Sequence, residues 1–489
     1  MQCGQLLLAG KVPYVDFIEF NPPVMIYLNV MPAQFAALTG MPPALAFYIF
    51  VIACLVISIA ACVFVVDGSN EKEESWVVAP TIVSLCALNL ILCGYLGDVA
   101  FGQREHLFLL FYTPFFLLRW LRWRETASIS RFSAILYGTL AGMGICIKPY
   151  FVILAVAPEI YWFATNKKPR RLLKPEMLAA IAVMVLYAVH FLFLPAAARE
   201  NMFGRWLPIV AVGYNFCSYS LPVMLAFSVF IKGYVELLLL TGIPSVLMRR
   251  RCSLLMPLLC FSIASLAIWL LQAKSWSYQA IPFFFGVLVM FAIQFYLLTK
   301  KYIQSPFHNW KLFMANATTF GAAGAMLLLF NALFLATESP HNEPKCQALD
   351  RLVETKSRKG DSILVLSTGP GTSYPWMLNT GRLPGSRYLW CFPLPMIAYL
   401  INCTSDQAVR MQLGLEEQRV LNELAEDIER RKPRLVIVLA RLDRRAKLDF
   451  DMFHHLEERN FFRSSMKNYV NLGRVCDCIV FERADDRHR

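Results

Sequence analysis

Long apolar runs recur along the first two thirds of the chain and then stop. A helix that crosses a bilayer needs about 20 predominantly apolar residues, and this requirement is met repeatedly before residue 337. We place ten spans, at 43–66, 77–97, 107–121, 132–147, 150–166, 176–196, 222–247, 253–272, 280–299 and 312–336. The expected fold is therefore a polytopic α-helical membrane protein with a smaller soluble part.

The composition supports this interpretation. Hydrophobic residues make up 57% and charged residues 17% of the 489-residue chain, whereas a typical soluble domain is about 25% charged. The net charge of +13 does not indicate nucleic-acid binding, because many Lys and Arg residues lie in short loops where they set membrane orientation. The sequence has no CxxC pair, which argues against a zinc site.

The basic loops predict how the chain is oriented. Four of them share one side of the ten spans: 119–124, 167–171, 248–251 and 300–301. By the positive-inside rule that side is the cytoplasm. The external side then receives six stretches: 1–42, 97–106, 147–150, 197–221, 273–279 and the tail. Every stretch with unusual polar residues is therefore predicted to be external.

After the last span the sequence is typical of a soluble domain. Short apolar runs at 362–367, 434–440 and 477–483 predict strands, and 407–431 and 450–465 predict helices, which together indicate a small α/β layer. A disulfide in this region requires an oxidising compartment. We divide the chain into three parts: an external first loop with an acidic motif (1–42), a transmembrane helical domain (43–336) and a soluble external α/β domain (337–489).

The first external loop carries two acids. Asp16 and Glu19 lie three residues apart, shortly before Pro22 and Pro23, which end any helix that precedes them. The two carboxylates could share a helical face or approach each other in a turn, as catalytic groups would. They could equally belong to an ordinary solvated loop.

The second external loop, "GDVAFGQREHL", adds Asp98, Arg104, Glu105 and His106. Charged groups directly against a span are costly unless they pair or face an aqueous cavity. An interfacial anchor would use Trp, Tyr or Lys instead, so we interpret this loop as functional, with Asp98 and Glu105 as candidate catalytic acids.

Two lysines lie at external helix ends, Lys148 in "IKPY" and Lys274 in "AKSWSYQAIP". Snorkelling is the common structural explanation, but external lysines next to spans run against the positive-inside rule. An ammonium group also serves as a point charge for phosphate. Trp276 and Tyr278 in the second motif are typical of interface aromatics as well as of a ligand site.

Acids and bases together at headgroup level suggest group transfer from a phosphate-linked lipid. A carboxylate would take the proton from an acceptor hydroxyl, while Lys, Arg or a divalent ion would stabilise the departing phosphate. The candidates for donor phosphate binding are Arg104, His106, Lys148, Lys274 and Tyr278. No cofactor is certain: the acids could hold Mg²⁺ or Mn²⁺, or pair with Arg104 and Lys274.

Four stretches resemble membrane glycosyltransferases of the GT-C fold: "LLAGKVPYVDFIEFNPPVMIYL", "FGQREHL" with an apolar run after it, "KPY" and "KSWSYQAIP". Within that class the chain is most similar to the protein O-mannosyltransferase and lipid A aminoarabinose transferase branch, and especially to bacterial members of undefined substrate. The resemblance implies an inverting transferase that moves a hexose or pentose from a polyprenyl phosphate. The acceptor would be a lipid, glycan or protein at the periplasmic face of the inner membrane.

The resemblance also implies roles for individual residues. Glu19 matches the family's acid just before a proline of the first loop, and Asp98 or Glu105 matches the acid of the second loop. Family members normally open with a transmembrane helix and an Asp or Asp-Glu pair, which would precede Met1. We therefore expect a truncated start, eleven spans in the full protein, and Asp16 and Glu19 as supporting acids; with a genuine start, Asp16 is the base or the protein is inactive.

Two other classes of protein remain as alternatives. A transporter or flippase of a lipid-linked glycan would carry ionisable residues at midplane depth and an internal repeat, and we find no such repeat in the sequence. A non-catalytic membrane scaffold or receptor would use the tail to bind a partner. The sequence does not identify the sugar, the acceptor or a metal requirement.

Overall fold

The computed structural model describes residues 1–70, 75–94, 100–226, 228–274, 276–303, 347–374, 376–444 and 447–484. The chain divides into two compact units. The tail unit consists of Met1–Tyr48, Phe191–Ser220 and Asn342–Arg489, and the helical unit consists of Ile49–His190 and Leu221–His341. The predicted span 312–336 lies outside the described residues.

The apolar runs form the helices that their length predicts. The longer helices are Pro43–Asp67, Val78–Gly94, Arg104–Arg124, Arg131–Cys146, Phe151–Asn166, Pro175–His190, Ser228–Met248, Leu255–Gln272 and Ile281–Ile303. Every predicted span inside the described ranges coincides with a helix, and 222–247 is divided between Leu221–Ala226 and Ser228–Met248. Within those ranges, five stretches are long and apolar enough to cross a membrane: Pro43–Asp67, Ser75–Cys93, Pro175–Phe193, Leu255–Gln272 and Tyr278–Thr299.

Small residues bring helices of this unit close together. An added Cβ at Gly138 would lie 2.1 Å from the carbonyl oxygen of Glu176, and one at Gly142 would lie 2.9 Å from that of Ala180. The helices Arg131–Cys146 and Pro175–His190 therefore pack with their backbones nearly touching, as small residues allow in membranes.

Large apolar side chains cover much of the helix surface that faces outward. On Pro175–His190, for example, Leu186 is 67% exposed and Val185 54%. Water would make such a contiguous apolar surface unfavourable, whereas lipid tails accept it. The exposed apolar helices support an integral membrane protein.

A five-stranded mixed sheet organises the tail unit. Its strands are β1 (Ser362–Leu366), β2 (Leu383–Pro384), β3 (Leu435–Leu439), β6 (Tyr469–Val475) and β7 (Cys478–Arg483), while β4 (Leu442–Arg444) and β5 (Asp449–Asp451) form a separate pair. The order is β2-β1-β3-β7-β6; β1 is parallel to β2 and β3, and β7 is antiparallel to β3 and β6. The three predicted strands correspond to β1, β3 and β7, which lie inside the sheet and are apolar over all of β3 and most of β1 and β7.

The predicted helix 407–431 is confirmed as Gln407–Arg431, which Asp406 caps by accepting hydrogen bonds from the backbone N–H groups of Ala408 and Val409. The predicted helix 450–465 is interrupted. It forms Met452–Glu458 and Phe461–Ser465, because Asn460 between them adopts a left-handed conformation with φ of 55°. Other helices of this unit are Gln2–Leu8, Val24–Leu28, Val30–Thr39, Ala196–Arg199, Leu207–Gly213, Gln347–Lys356, Trp376–Asn379 and Pro393–Cys403.

Candidate functional site

Glu105 and Lys148 form a buried ion pair in the helical unit. Lys148 Nζ lies 2.7 Å from Glu105 Oε1, and the two side chains are only 9% and 2% exposed. Glu105 occupies the first turn of Arg104–Arg124, where the helix dipole favours an acid. Lys148 lies between Arg131–Cys146 and Phe151–Asn166. A predicted catalytic acid and a predicted phosphate ligand are thus in direct contact.

A third stretch, which the sequence predicts to be external, contributes to the same cluster through its amides. Lys148 Nζ also donates a hydrogen bond to Gln272 Oε1 at 2.9 Å, and Gln279 Nε2 donates to that same oxygen at 2.9 Å. Residues from stretches 102–106, 147–150 and 272–279 therefore meet at the Glu105 cluster, which we define as the contacting residues Glu105, Lys148, Gln272 and Gln279 together with His106, which follows Glu105 in sequence. Sequence reasoning missed the two glutamines because neutral amides give no charge signal.

Three polar atoms of this cluster are buried and have no hydrogen-bond partner within the described part of the chain: Glu105 Oε2, His106 Nε2 and Gln279 Oε1. The backbone N–H of Gly102 donates to His106 Nδ1 at 3.1 Å. Because Nδ1 accepts this bond, the imidazole is neutral and its proton is on Nε2. The cluster thus contains a buried N–H donor and buried acceptor oxygens that the described residues leave without a partner.

The charges around Lys148 oppose one another. Burial lowers the pKa of the Lys148 ammonium, the Glu105 charge acts to raise it, and the Arg104 charge acts to lower it. The pKa therefore lies below its usual value, although the group keeps an anionic partner. Arg104, another predicted phosphate ligand, thus contributes positive potential at the same place.

Lys274 and Tyr278 lie in an aromatic group next to the cluster in sequence. Lys274 Nζ is 5.3 Å from the ring centre of Trp276, and the rings of Trp276 and Tyr278 stack at 5.6 Å. The contact with Lys274 is of the cation–π type. The roles of Lys274 and Tyr278 in phosphate binding stay predictions, and Asp98 lies outside the described residues.

Glu19 is a buried carboxylate of the tail unit. Its Oε1 accepts hydrogen bonds from the backbone N–H, at 3.0 Å, and from the side-chain amide of Asn21, and its Oε2 lies 3.8 Å from Cys3 Sγ. The pKa of the Tyr374 phenol is raised, first by burial and then by the charges of Cys3 and Glu19. The phenol therefore stays protonated beside the Glu19 carboxylate. Glu19 is thus held in one orientation by the residue that precedes the two prolines.

Asp16 has a different environment from Glu19. Its Oδ2 accepts the backbone N–H of Val12 at 2.8 Å, and its carbonyl oxygen accepts a hydrogen bond from Arg431. The same turn contains Tyr14, whose φ of 65° is unusual for a bulky residue. Asp16 therefore closes a tight turn, and the two acids of the loop do not share one environment.

Sequence reasoning misread a second buried charge network in the helical unit. The sequence predicts that Arg119 belongs to a basic loop, but it lies inside Arg104–Arg124 and is fully buried. Its guanidinium forms two hydrogen bonds with Glu159, at 2.7 and 2.9 Å, and one with Glu176 at 3.0 Å. The correction has a physical reason: the helix continues past the predicted span, and two acids from other helices neutralise the arginine.

A divalent cation finds no complete ligand set in the described ranges, because they contain no group of three or more His, Cys, Asp or Glu residues that could hold a metal. Glu105 is paired with Lys148, and Glu19 accepts the Asn21 amide. The described residues therefore do not fit a metal site.

No protein-family model matches the chain, and no curated protein matches it. Among solved structures, it is similar to the archaeal oligosaccharyltransferase AglB from Archaeoglobus fulgidus, determined in complex with an inhibitory peptide and a dolichol-phosphate. The TM-score is 0.44 and the sequence identity 12%, over 89% of this chain and 64% of that one. The chain thus spans just under two thirds of the length of that protein.

Proposed function

We propose that this chain is a membrane glycosyltransferase that moves a sugar from a polyprenyl-phosphate donor to an acceptor hydroxyl, with inversion of the anomeric carbon. The Glu105 cluster is the observation that carries the proposal. It joins "FGQREHL", "KPY" and "KSWSYQAIP", the motifs for which a family resemblance predicts this chemistry.

The chemistry of Lys148 suits a phosphate that leaves with negative charge. An ammonium group has three N–H donors, and Glu105 and Gln272 occupy two of them. The third can meet a phosphate oxygen. In this low-dielectric setting such donors stabilise developing charge more strongly than in water.

The transfer step balances with these groups. The acceptor oxygen forms a bond to the anomeric carbon as the bond from that carbon to the phosphate oxygen breaks. The electron pair of the broken bond stays on the phosphate, beside Lys148, and a carboxylate takes the acceptor proton. Glu19 and Glu105 are the acids for which the family resemblance predicts this role, whereas the Asp16 side chain is hydrogen-bonded to its own turn.

We place the reaction on the external face, at the periplasmic side of a bacterial inner membrane, with residues 337–489 as an external domain. The basic loops support this orientation. Cys476 is disulfide-bonded, and structural disulfides persist in oxidising compartments. Both observations favour an external tail.

The test is a transfer assay in membranes that contain the full chain, with a panel of radiolabelled polyprenyl-phosphate sugars. Glu105→Gln and Lys148→Gln should each reduce transfer by about 100-fold or more, the usual contribution of a positioned acid or charge. The matched control is Arg250→Gln, which removes an exposed charge.

Three results would count against the proposal. If Glu105→Gln and Lys148→Gln transfer sugar as fast as the control does, the cluster takes no part in the reaction. Movement of donor across the membrane without transfer would identify a flippase. Folded protein with neither activity, with donor delivered to the membrane, would indicate a scaffold.

A further inference from the structure

A basic cavity lies in the helical unit, away in sequence from the Glu105 cluster. Its volume is about 530 Å³, and six cationic residues line it: Arg122, Lys167, Lys168, Arg170, Arg171 and Lys174. Glu125 is the one acid of the lining. The cavity therefore has the charge of an anion site.

Part of this charge is already neutralised. Glu125 accepts hydrogen bonds from Lys168 and Arg171, and Glu176 pairs with Arg122 at 3.3 Å. In contrast, the side chains of Lys167, Arg170 and Lys174 have no hydrogen-bond or ion-pair partner among the residues that the structure describes. Three positive charges thus face the cavity without an internal counter-charge.

The wall of the cavity is fixed by a buried arginine. Arg171 is only 6% exposed, and its guanidinium donates to the carbonyl oxygen of Trp123 and to Glu125. It also lies 5.5 Å from the ring centre of Trp123, a cation–π contact. The loop that carries the three unpaired charges is therefore anchored, so that the charges are held near one another before a ligand binds.

An apolar surface begins where the cavity ends. Lys174 immediately precedes the helix Pro175–His190, and Leu173, Leu178 and Ile181 beside it are 67%, 50% and 48% exposed. A free phosphate would gain nothing from this surface. A ligand with an anionic head and apolar chains would contact both the cations and the helix.

We propose that this cavity binds the phosphate headgroup of an anionic phospholipid, whose acyl chains lie along Pro175–His190. The three unpaired cations, Lys167, Arg170 and Lys174, bind the headgroup, and Arg171 anchors the loop that carries them. The site is independent of the proposed transferase activity, and the basic-loop orientation puts it on the cytoplasmic side.

The test uses the full chain in detergent and native mass spectrometry, with phosphatidylglycerol, phosphatidylcholine, polyprenyl phosphate and glycerol phosphate as probes. The triple variant Lys167→Gln/Arg170→Gln/Lys174→Gln should bind phosphatidylglycerol about a hundredfold more weakly, at roughly fivefold for each charge removed near the surface. The matched control is Arg249→Gln/Arg250→Gln/Arg251→Gln, which removes three exposed charges elsewhere. Equal melting temperatures without lipid show that both variants fold.

Tighter binding of phosphatidylglycerol than of phosphatidylcholine, lost in the first triple variant and kept in the control, is the expected result. The proposed site would be contradicted if the control variant weakened phosphatidylglycerol binding equally, or if wild type bound phosphatidylglycerol and phosphatidylcholine equally well. Glycerol phosphate bound as tightly as the lipid would indicate a soluble phosphate ligand, and preferential binding of polyprenyl phosphate would assign the cavity to the donor lipid; either result overturns the proposal.

Discussion

Lys148 Nζ is 2.7 Å from Glu105 Oε1, and the contact joins the first turn of Arg104–Arg124 to the connection between Arg131–Cys146 and Phe151–Asn166. Their burial makes them interdependent, because a lone charge in this environment would lose its hydration without gaining a partner. The pair is therefore both a structural contact and the place at which we propose that donor phosphate binds.

Removing one member of the pair should cost more stability than removing both. Glu105→Gln leaves Lys148 as an unpaired buried cation, and the expected loss in the free energy of unfolding is about 3–5 kcal/mol. The double variant Glu105→Gln/Lys148→Met removes the unpaired charge and should recover part of that loss, while remaining inactive in transfer. Thermal unfolding in detergent measures both variants, and additive losses would show that the two charges do not interact.

Substitutions of Glu19 and Asp16 should distinguish a loss of transfer activity from a loss of folding stability. Glu19→Gln should lower the turnover number by about 100-fold or more, if Glu19 is the proton acceptor, with little change in melting temperature because the amide keeps an oxygen for Asn21. Asp16→Asn also keeps the acceptor for the Val12 N–H and should retain transfer. The reverse pattern in the labelled-sugar assay would assign the base to Asp16.

Arg119 should contribute strongly to folding. Arg119→Met leaves Glu159 and Glu176 without their shared cation, and the expected destabilisation is about 3–5 kcal/mol. Arg119→Lys should recover little, because an ammonium cannot reproduce the paired contacts with both Glu159 oxygens. The exposed Arg250→Met serves as the control for thermal unfolding, and an unfolding temperature unchanged from wild type in Arg119→Met would contradict the role.

Glu417 should make the stability of the tail unit depend on acid pH. Burial raises the pKa of its carboxyl, but the hydrogen bond from His455 and the charges of His455 and Arg459 outweigh this and lower it below 4.5. A carboxyl with a lowered folded pKa stabilises the protein above its unfolded pKa and loses that contribution as the pH falls through the folded value.

The measurement is the melting temperature of the full chain between pH 7 and pH 3. Wild type should lose stability below about pH 4.5, and Glu417→Gln should be less stable at pH 7 and show a smaller further loss. Glu429→Gln, on the same helix and exposed, is the control and should follow wild type. If the melting temperatures of Glu417→Gln and wild type change with pH in the same way, the Glu417 carboxyl is not the cause of the acid destabilisation.

Local patterns were enough to predict much of the fold. Apolar length alone located the helices of the helical unit, and short apolar runs located β1, β3 and β7, because both signals lie within single elements. β6 was missed since its residues are only partly buried and do not form an apolar run. The break at Asn460 was missed because one left-handed residue leaves little trace in helical periodicity.

Contacts between distant residues explain what sequence could not predict about the site. The candidates Glu105 and Lys148 were chosen separately, and nothing in either motif indicates that the two side chains touch. Gln272 had no charge to single it out. Arg119 looked like its basic neighbours, and only the acids at 159 and 176 distinguish it.

The tail unit draws on three separated stretches of the chain, and this has a consequence for its biogenesis. Arg431 donates a hydrogen bond to the carbonyl oxygen of Asp16 across 415 residues, and Ile18 pairs with Tyr388. Since a ribosome delivers residues in order, the loop with Asp16 and Glu19 emerges long before its partners exist. The acidic loop must stay unassembled while the intervening helices are inserted, so the enzyme we propose could mature only after its last strands have been translated.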